Sequence, residues 1–458
     1  MSFEQVIYMI KHKNLNNLLP VTAIRTITDR DVYLENDYNT LPIGLLQEQY
    51  PELPDKIIEH LYYEPNSFEG ILYYDLHAMT LFHTLLNISE NKFIDMSQKG
   101  STTIRNIQLC IQRFNEIYRK GDYRSLFLLV PESYRIEFFC KTIENIPEKN
   151  RYETFLNCYS FSDFGSEFLD SKILKCLMEL KTDIQKKKTK EILDTISNTD
   201  ILHIYRGIGS KSNLYGYSYS LSPNIARFFA FRYSNNDAYT TIMEADIKKS
   251  DIIEFIEAEN EIITLPDNLK NVSFTKYLNI EHFLDEKIAK VYFLQRDIFY
   301  STKCIWNLSL TQQDHNEQHM LRVLMLTIIL SVKYNVKKKY LDTIFTAAMF
   351  HDIKRKNEGE DTCHGYDSYQ LLCQINPAYK KDTLLKNLMT YHCMSDQDAL
   401  RTNYFTKKEE WMLYLILKDA DALDRQRFRI DELDISFLRL PFSKDLLFAA
   451  FQLTKIKL

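Results

Sequence analysis

The stretch AAMFHDIKR, at residues 347–355, runs from an apolar segment into a histidine, an aspartate and two cations. Its first four residues have the composition of a helix that faces a protein core. Burying an aspartate costs free energy unless the carboxylate is paired or bound to a metal. We therefore expect His351 and Asp352 to line a polar site at the end of a core helix.

Similar polar signatures recur on both sides of this stretch. Five of the eleven histidines fall between residues 315 and 392, each within or beside an amphipathic helical pattern. The segments are DHNEQHMLRV at 314–323, DTCHG at 361–365, YHC at 391–393 and KDADALDRQRF at 418–428. Imidazole and carboxylate groups together suit a divalent transition metal or magnesium, and ligands on separate helices can converge in a bundle core.

The order of these residues resembles the HD superfamily of metal-dependent phosphohydrolases. Its pattern is a lone histidine, then a His-Asp pair, then a distant aspartate, and here these are His319, His351-Asp352 and Asp421. The HxxRV form around His319 and the DADALDR form around Asp421 are also similar to that family. Asp419 is the competing final aspartate, but the alignment of ADAL favours Asp421.

The resemblance covers roughly residues 310 to 430 and implies an all-α helical bundle with bound metal. The implied ligands of a first ion are His319, His351, Asp352 and Asp421, and those of a second ion are His364 and His392. The ion would be Mn, Fe, Mg, Co or Ni, with one or two bound. Asp352 would also belong to the catalytic residues.

The implied reaction is attack of a metal-activated water on phosphorus in a nucleotide or another phosphorylated small molecule. Lys354, Arg355 and Arg425 are candidates to hold the phosphate, the alternative being that they are exposed helix-end cations. His315 would assist catalysis or cap its helix. One subgroup of the binuclear members performs iron-dependent oxygenation instead, and this alternative stays open.

A strand-rich segment interrupts the helical patterns between residues 204 and 266. Arg206 stands at a strand end, where its planar guanidinium suits a diphosphate. Ser218 and Ser220 would share one side of a strand, as would Glu259 and Glu261 in an extended segment. Asn224 to Phe231 reads as a short helix after a Ser-Pro start.

This ordered set resembles the ADP-ribosyltransferases of the Arg-Ser-Glu class. Arg206 matches their first motif, Tyr217-Ser218-Tyr219-Ser220 is similar to the serine-containing strand, and Glu259-Asn260-Glu261 is similar to the Glu-x-Glu turn. The middle serine position is Tyr219 here, and only 55 positions separate Arg206 from Glu261.

The transferase resemblance implies NAD as co-substrate, with the helical lobe supplied by residues upstream of 200. Arg206 would hold the phosphates, and Ser218 and Ser220 would order the NAD site. Glu261 would bind the nicotinamide ribose and stabilise the developing oxocarbenium ion. Glu259 would orient the acceptor, which is a protein or a nucleic acid in this interpretation.

The bulk composition sets the frame for both resemblances. A chain of 458 residues with 45% hydrophobic and 26% charged residues predicts a globular protein of two or three domains. A net charge of −5 gives no electrostatic signature of non-specific nucleic-acid binding. Scattered cysteines, no signal peptide and no long apolar run predict a cytoplasmic protein without a membrane partner, or a secreted effector.

The predicted fold class is multidomain and mostly α. The predicted domains are a helical region of unknown role at 1–100, an α+β ADP-ribosyltransferase-like domain at 101–300 and an all-α HD domain at 301–458. The predicted function is a bifunctional enzyme of the kind found in bacterial toxins, effectors or phage-defence proteins. In the alternatives, only the HD domain is an enzyme and the first two-thirds bind or sense, or both sites are degenerate and the protein is a scaffold.

Overall fold

A computed structural model gives the architecture of the chain. It describes residues 19–20, 50–51, 53–63, 71–89, 92–95, 103–162, 168–209, 213–232, 234, 237–257, 260–306, 316–355, 361–429 and 432–458. The chain is mostly helical and multidomain and also contains antiparallel sheets, as the sequence predicts at this coarse level.

The described strands and helices are numbered here in chain order. The strands are β1 (Leu19–Pro20), β2 (Leu61–Tyr63), β3 (Ile71–Asp75), β4 (Thr80–His83), β5 (Leu86–Ser89), β6 (Lys92–Asp95), β7 (Ile201–Ile208), β8 (Ser218–Ser220), β9 (Tyr239–Lys248), β10 (Ile252–Ile256), β11 (Glu261–Thr264) and β12 (Lys270–Leu278). The helices are α1 (Asp55–Ile58), α2 (Thr103–Lys120), α3 (Tyr123–Leu129), α4 (Glu132–Thr142), α5 (Glu148–Ser160), α6 (Ser171–Glu179), α7 (Asp183–Ile196), α8 (Pro223–Arg232), α9 (Glu286–Trp306), α10 (Glu317–Lys333), α11 (Lys338–Phe350), α12 (His364–Ile375), α13 (Thr383–Tyr391), α14 (Asp396–Arg401), α15 (Lys408–Asp424), α16 (Pro441–Asp445) and α17 (Leu447–Leu453).

The chain divides into two compact units. The first comprises Met1–Thr199, Ile252–Ile256 and Ile263–Pro266, and the second comprises Asp200–Asp251, Glu257–Ile262 and Asp267–Leu458. The change at residue 200 coincides with the onset of the strand-rich segment in the sequence. The finer division at residues 100 and 300 stays a prediction.

The described part of residues 1–100 is mainly β-structure. Strands β1 to β4 form an antiparallel sheet in the order β1-β2-β3-β4, and β5 pairs with β6. The prediction of a helical region at 1–100 is therefore wrong for these residues. The tyrosine- and isoleucine-rich runs LYY and ILYYD favour strands, because aromatic and β-branched side chains pack well on a pleated surface.

A buried polar cluster ties three helical segments of the first unit to β10. The Glu254 carboxylate accepts from the Tyr152 hydroxyl at 2.7 Å and from the Thr189 hydroxyl at 2.7 Å. Lys181 lies after α6 with its Nζ 3.1 Å from Glu254 Oε2, and it also donates to the Ile253 carbonyl at 2.8 Å. Because its partners surround it, this buried lysine is compensated in both charge and hydrogen bonding.

Glu254→Gln is expected to destabilise the first unit by about 3–5 kcal/mol at pH 7, because buried Lys181 loses its counter-charge. Burial alone would raise the pKa of Glu254, but donors from Tyr152 and Thr189 and the Lys181 charge lower it below 4.5. The carboxylate's contribution is therefore present above pH 4.5 and is lost as the pH falls through the lowered value. Urea unfolding of both proteins from pH 8 to pH 3 should show the difference shrinking with acid; a constant difference would contradict this account.

The second unit begins with antiparallel strands in the order β8-β7-β9-β12. Helix α8 packs on β7 at Gly207, where an added Cβ would lie 2.0 Å from the Ala226 carbonyl oxygen. The predicted short helix at 224–231 thus forms, and Gly207 allows its close approach to the sheet.

The rest of the second unit is a bundle built around α10. All thirteen residues from His319 to Ser331 are buried, and α11 and α15 pack directly against this helix. A helix that is apolar on every side belongs in a core. Of its polar residues, His319 and Arg322 pair with Asp424 inside the bundle, whereas the hydroxyls of Thr327 and Ser331 have no hydrogen-bond partner within the described residues. Within the described residues, no helix combines the length and apolar character that crossing a membrane requires.

Candidate metal centre

The histidines and aspartates of the bundle are delivered mainly by helix ends. His351 caps the C-terminus of α11 and Asp352 follows it, His364 begins α12, and His392 caps the C-terminus of α13. Asp421 lies in the last turn of α15. Adjacent helical residues point about 100° apart, so a helix end is where neighbours such as His351 and Asp352 can both turn toward one site.

Four side chains converge on one point, which we call the Asp421 position: His319, His351, Asp352 and Asp421. The Nε2 atoms of His319 and His351 lie 3.3 Å apart. Asp352 Oδ2 lies 3.5 Å from His319 Nε2 and 3.8 Å from His351 Nε2. Asp421 Oδ1 lies 3.5 Å and 3.7 Å from the same two nitrogens. Ligands about 2.1 Å from one ion are separated by about 3.0–3.4 Å. The separations in this cage, 3.3–3.8 Å, are slightly wider than those of an occupied metal site.

Three side chains form a second cage, the His392 position: His364, His392 and Asp352. The two Nε2 atoms are 3.0 Å apart, and Asp352 Oδ1 lies 3.0 Å from His364 Nε2 and 3.1 Å from His392 Nε2. Asp352 therefore turns one carboxylate oxygen toward each position. His319, His351 and Asp352 form one group that could hold a metal ion, and His364, His392 and the Cys393 thiol form another, with ligand atoms within 4.8 Å of one another in each group.

All four histidines have the same hydrogen-bonding arrangement. Each Nδ1 faces an oxygen that accepts: Asp424 Oδ2 for His319 at 2.7 Å, the Ala348 carbonyl for His351 at 3.0 Å, the Asp361 carbonyl for His364 at 2.6 Å and the Met389 carbonyl for His392 at 2.6 Å. A carbonyl oxygen accepts only, so Nδ1 carries the proton and Nε2 presents its lone pair in the neutral ring. This is how metal-ligating histidines are held in proteins.

The electrostatics of the cages favour a cation between the donors. Two neutral imidazoles whose Nε2 lone pairs face each other at 3.0 Å repel, and a proton or a metal ion relieves that repulsion. Burial alone would lower the pKa of His351, but the Asp352 and Asp421 carboxylates raise it to about 9. Burial lowers the pKa of His392, which keeps that ring neutral and suited to ligation. The donor set thus fits a divalent ion.

Asp424 belongs to the candidate site by its contacts, and the sequence analysis missed it. Its carboxylate accepts from His319 Nδ1, from both Nε and Nη2 of Arg322, and from Arg427 Nη1 at 3.4 Å. Burial would raise the pKa of Asp424, but the hydrogen bonds from His319 and Arg322 and the charge of Arg322 lower it. The available signal was its spacing three residues after Asp421, which places both on one helix face.

Asp419 lies elsewhere. It accepts from the backbone N–H groups of Arg439 and Leu440 at 2.8–3.0 Å, and the Arg439 guanidinium lies 3.4 Å away. Its carboxylate therefore stabilises the chain segment after α15, whereas Asp421 faces the histidines.

The phosphate-binding candidates lie near the cages to different degrees. Arg355 Nη1 lies 3.9 Å from Asp352 Oδ2, whereas Lys354 and Arg425 are exposed. The backbone N–H of Lys354 donates to the buried Ser368 hydroxyl at 3.1 Å. His315 lies outside the described residues.

The structure brings part of the middle constellation together. Arg206 Nη1 donates to the Ser218 carbonyl at 2.8 Å, and its guanidinium fills the space over Gly216, where a Cβ would lie 2.4 Å from Nη2. The Ser220 hydroxyl donates to the Asn260 carbonyl at 3.3 Å, which links β8 to the turn before β11.

The acidic pair is described only in part. Glu261 is half-buried at the start of β11, directly after Asn260, which has φ of +49°. Glu259 lies outside the described residues, so the Glu-x-Glu turn is represented by its last two positions. Of the predicted NAD-site residues, Arg206 on β7 and the serines on β8 are therefore the ones that the structure shows as neighbours, because these two strands pair.

No protein-family model matches the chain, no curated protein is significantly similar to it in sequence, and no solved structure is significantly similar to it in fold. The two family resemblances therefore rest on the quoted motifs, and each stays a prediction.

Asp424→Asn is expected to lower the affinity of the Asp421 position for Mn²⁺ by about 10–100-fold, because His319 loses the carboxylate that fixes its tautomer. Equilibrium dialysis against Mn²⁺ alone measures this. Asp419→Asn is the matched control, since it removes a buried carboxylate from the same helix, and its Mn²⁺ affinity should equal that of the wild type. Equal affinity in Asp424→Asn would show that the tautomer does not depend on Asp424.

Gly365→Ala is expected to reduce bound metal from two ions per chain to one. An added Cβ would lie 2.1 Å from the Met389 carbonyl oxygen and 3.0 Å from the His392 ring, so α13 would have to move and carry His392 with it. Alanine favours a helix over glycine by about 1 kcal/mol, so a loss of metal must come from this clash. Elemental analysis of the variant measures the loss. Gln370→Ala, on the exposed side of α12, should keep both ions; two ions in Gly365→Ala would contradict the prediction.

Proposed function

We propose that the helical bundle is an HD-type metal-dependent phosphohydrolase acting on a nucleotide or another phosphorylated small molecule. The observation that carries the proposal is the convergence of four histidine Nε2 atoms around Asp352, with every Nδ1 held by an acceptor. These donors come from segments far apart in the chain, in the order that the HD pattern requires.

The chain's own residues would divide the work in a simple way. His319, His351, Asp352 and Asp421 would hold one ion, and His364, His392 and the other oxygen of Asp352 would hold a second. Bound metal lowers the pKa of a coordinated water and offsets charge on phosphoryl oxygens. Arg355, beside Asp352, would bind and orient a phosphate oxygen. Asp424 would keep His319 in its ligating tautomer.

Purified full-length protein is expected to release phosphate or pyrophosphate from at least one member of a panel of nucleotides and phosphorylated sugars in the presence of Mn²⁺ or Co²⁺. Asp352→Ala should lower the rate by about 100-fold or more, since metal charge stabilisation contributes several kcal/mol. His351→Ala should do the same. His282→Ala removes an exposed histidine elsewhere in the second unit and should retain the wild-type rate.

The result against this proposal would be equal turnover by the wild type and Asp352→Ala. Uptake of O₂ by the iron-loaded protein with a phosphorylated substrate, without phosphate release, would instead favour the oxygenase alternative. That alternative uses the same ligands, because imidazole and carboxylate also suit iron.

We further propose an NAD-dependent mono-ADP-ribosyltransferase site around Arg206 in the same unit. The supporting observation is that the Arg206 guanidinium is fixed by the Ser218 carbonyl while its buried Nε has no hydrogen-bond partner within the described residues. An oriented guanidinium with donors to spare suits a diphosphate. Glu261 would stabilise the oxocarbenium ion, and a protein or nucleic-acid nucleophile would accept the ADP-ribose.

Glu261→Gln is expected to lower automodification or hydrolysis of labelled NAD by about 100-fold, the usual effect of removing one electrostatic contact to a developing charge. Arg206→Lys should raise KM for NAD, because lysine lacks the planar fork. Glu281→Gln, an exposed acid of the second unit, is the control. Undiminished labelling by Glu261→Gln would leave the bundle as the one proposed enzyme, with the remaining chain a binding or sensing module.

Two such activities in one chain would suit a toxin, an effector or a phage-defence protein. NAD and nucleotides are shared pools, so an enzyme that consumes either would act on the metabolism of the cell that contains it.

A further inference from the structure

The two cages of the metal centre differ in their access to solvent. The Asp421 side chain keeps 31% of its surface exposed. The other donors are each exposed by 2% or less: His319, His351, Asp352, His364 and His392. Among these histidine and aspartate donors only Asp421 is open to solvent. Cys393, which could hold an ion together with His364 and His392, is partly exposed, but its thiol donates to the Thr362 carbonyl.

We infer that metal exchanges with solvent at the Asp421 position, whereas an ion at the His392 position is sealed inside the bundle and leaves only when α12 and α13 separate. The inference rests on the proposed metal-dependent function. It assigns different roles to the two positions: the first is the replaceable, substrate-facing position, and the second is a structural one.

The contacts around the His392 position explain why it is sealed. The start of α12 lies directly on the end of α13, since Gly365 leaves no room for a Cβ beside the Met389 carbonyl and the His392 ring. The Cys393 thiol, next to His392, donates to the Thr362 carbonyl at 3.4 Å and so links the segments that carry the two histidines. Release of an ion from this side requires local opening, which is slow compared with ligand exchange at an exposed carboxylate.

The surroundings of the Asp421 position are suited to an incoming anion. Arg425 lies four residues after Asp421 and is exposed, and the Arg355 guanidinium lies 3.9 Å from Asp352 Oδ2, the carboxylate oxygen that faces this position. A phosphate entering past Asp421 would meet these cations before the histidines. Substrate and free metal would therefore share one route, along which the Asp421 carboxylate attracts the metal ion and the two arginines attract the phosphate.

The test is the rate of metal release. Full-length protein is loaded with Co²⁺, freed of excess ion by desalting and mixed with EDTA; bound Co²⁺ is then measured by elemental analysis at successive times. We expect two phases of equal amplitude whose rates differ by roughly ten-fold or more. Asp421→Asn should lose the fast phase and keep the slow one, whereas His392→Asn should lose the slow phase. Glu409→Gln, an exposed acid on the same helix as Asp421, should show wild-type release.

Two ions leaving the wild type in a single phase would overturn the inference, and this result needs no variant to fold. Loss of the slow phase in Asp421→Asn with the fast phase retained would overturn it as well. If the wild-type protein binds no Co²⁺, the proposed function and this inference both fail. That outcome differs from the two release results above, because no bound ion would be there to leave.

Discussion

The bundle depends on one electrostatic constraint: four imidazoles with their Nδ1 protons already committed surround a single buried carboxylate. Once Nδ1 is held, each ring can offer only a lone pair or a second proton at Nε2. Nitrogens that face each other at 3.0 Å and 3.3 Å need positive charge between them. A purely hydrogen-bonded core of this size would normally alternate donors and acceptors, and here the acceptors face each other across both cages.

Helix ends explain how the fold meets this constraint without distorting its backbone. The last carbonyls of a helix have no intrahelical partner. The carbonyls of Ala348 and Met389, three residues before His351 and His392, accept those rings' Nδ1 protons. Each of these hydrogen bonds therefore gives a terminal helix carbonyl its partner and at the same time fixes the tautomer of the histidine. His319 lies in the first turn of α10, at the opposite end of a helix from its free carbonyls, and there the Asp424 side chain takes that role.

The two candidate sites differ in how far the fold alone accounts for the contacts between their residues. In the bundle, side chains from five segments spread over about a hundred residues meet within a few ångströms, which the packing of helices does not by itself require. In the sheet, Arg206 and Ser218 are brought together by the pairing of β7 with β8. Neighbouring strands place many residues in contact for purely structural reasons. The transferase proposal consequently depends more on its chemistry than on its geometry.

The outcome at α15 shows what sequence reasoning can and cannot reach. The segment DADALD contains three aspartates, and only helical geometry separates their roles. Asp421 and Asp424 lie about 60° apart around the helix and face the site together, whereas Asp419 is rotated by about 160° from Asp421 and binds Arg439. Spacing alone could have paired Asp424 with Asp421. Spacing could likewise suggest Arg427, which lies three residues after Asp424. It could not suggest Arg322, because that residue lies 102 positions earlier on another helix and its direction depends on how the helices pack.

The dependence of side-chain contacts on packing also explains why the sequence did not indicate a helix break in the first unit. In the sequence, apolar residues at helical spacing from Ile104 to Tyr118 and from Ser171 to Ile196 predict two helices. The first forms as α2, whereas the second is broken at Leu180 to Thr182 into α6 and α7. The break lies where Lys181 turns inward to Glu254, a residue 73 positions later in the chain. A buried ion pair of that separation leaves no local pattern. What the sequence reveals are residues whose chemistry is costly to bury, and packing decides which of them are brought together.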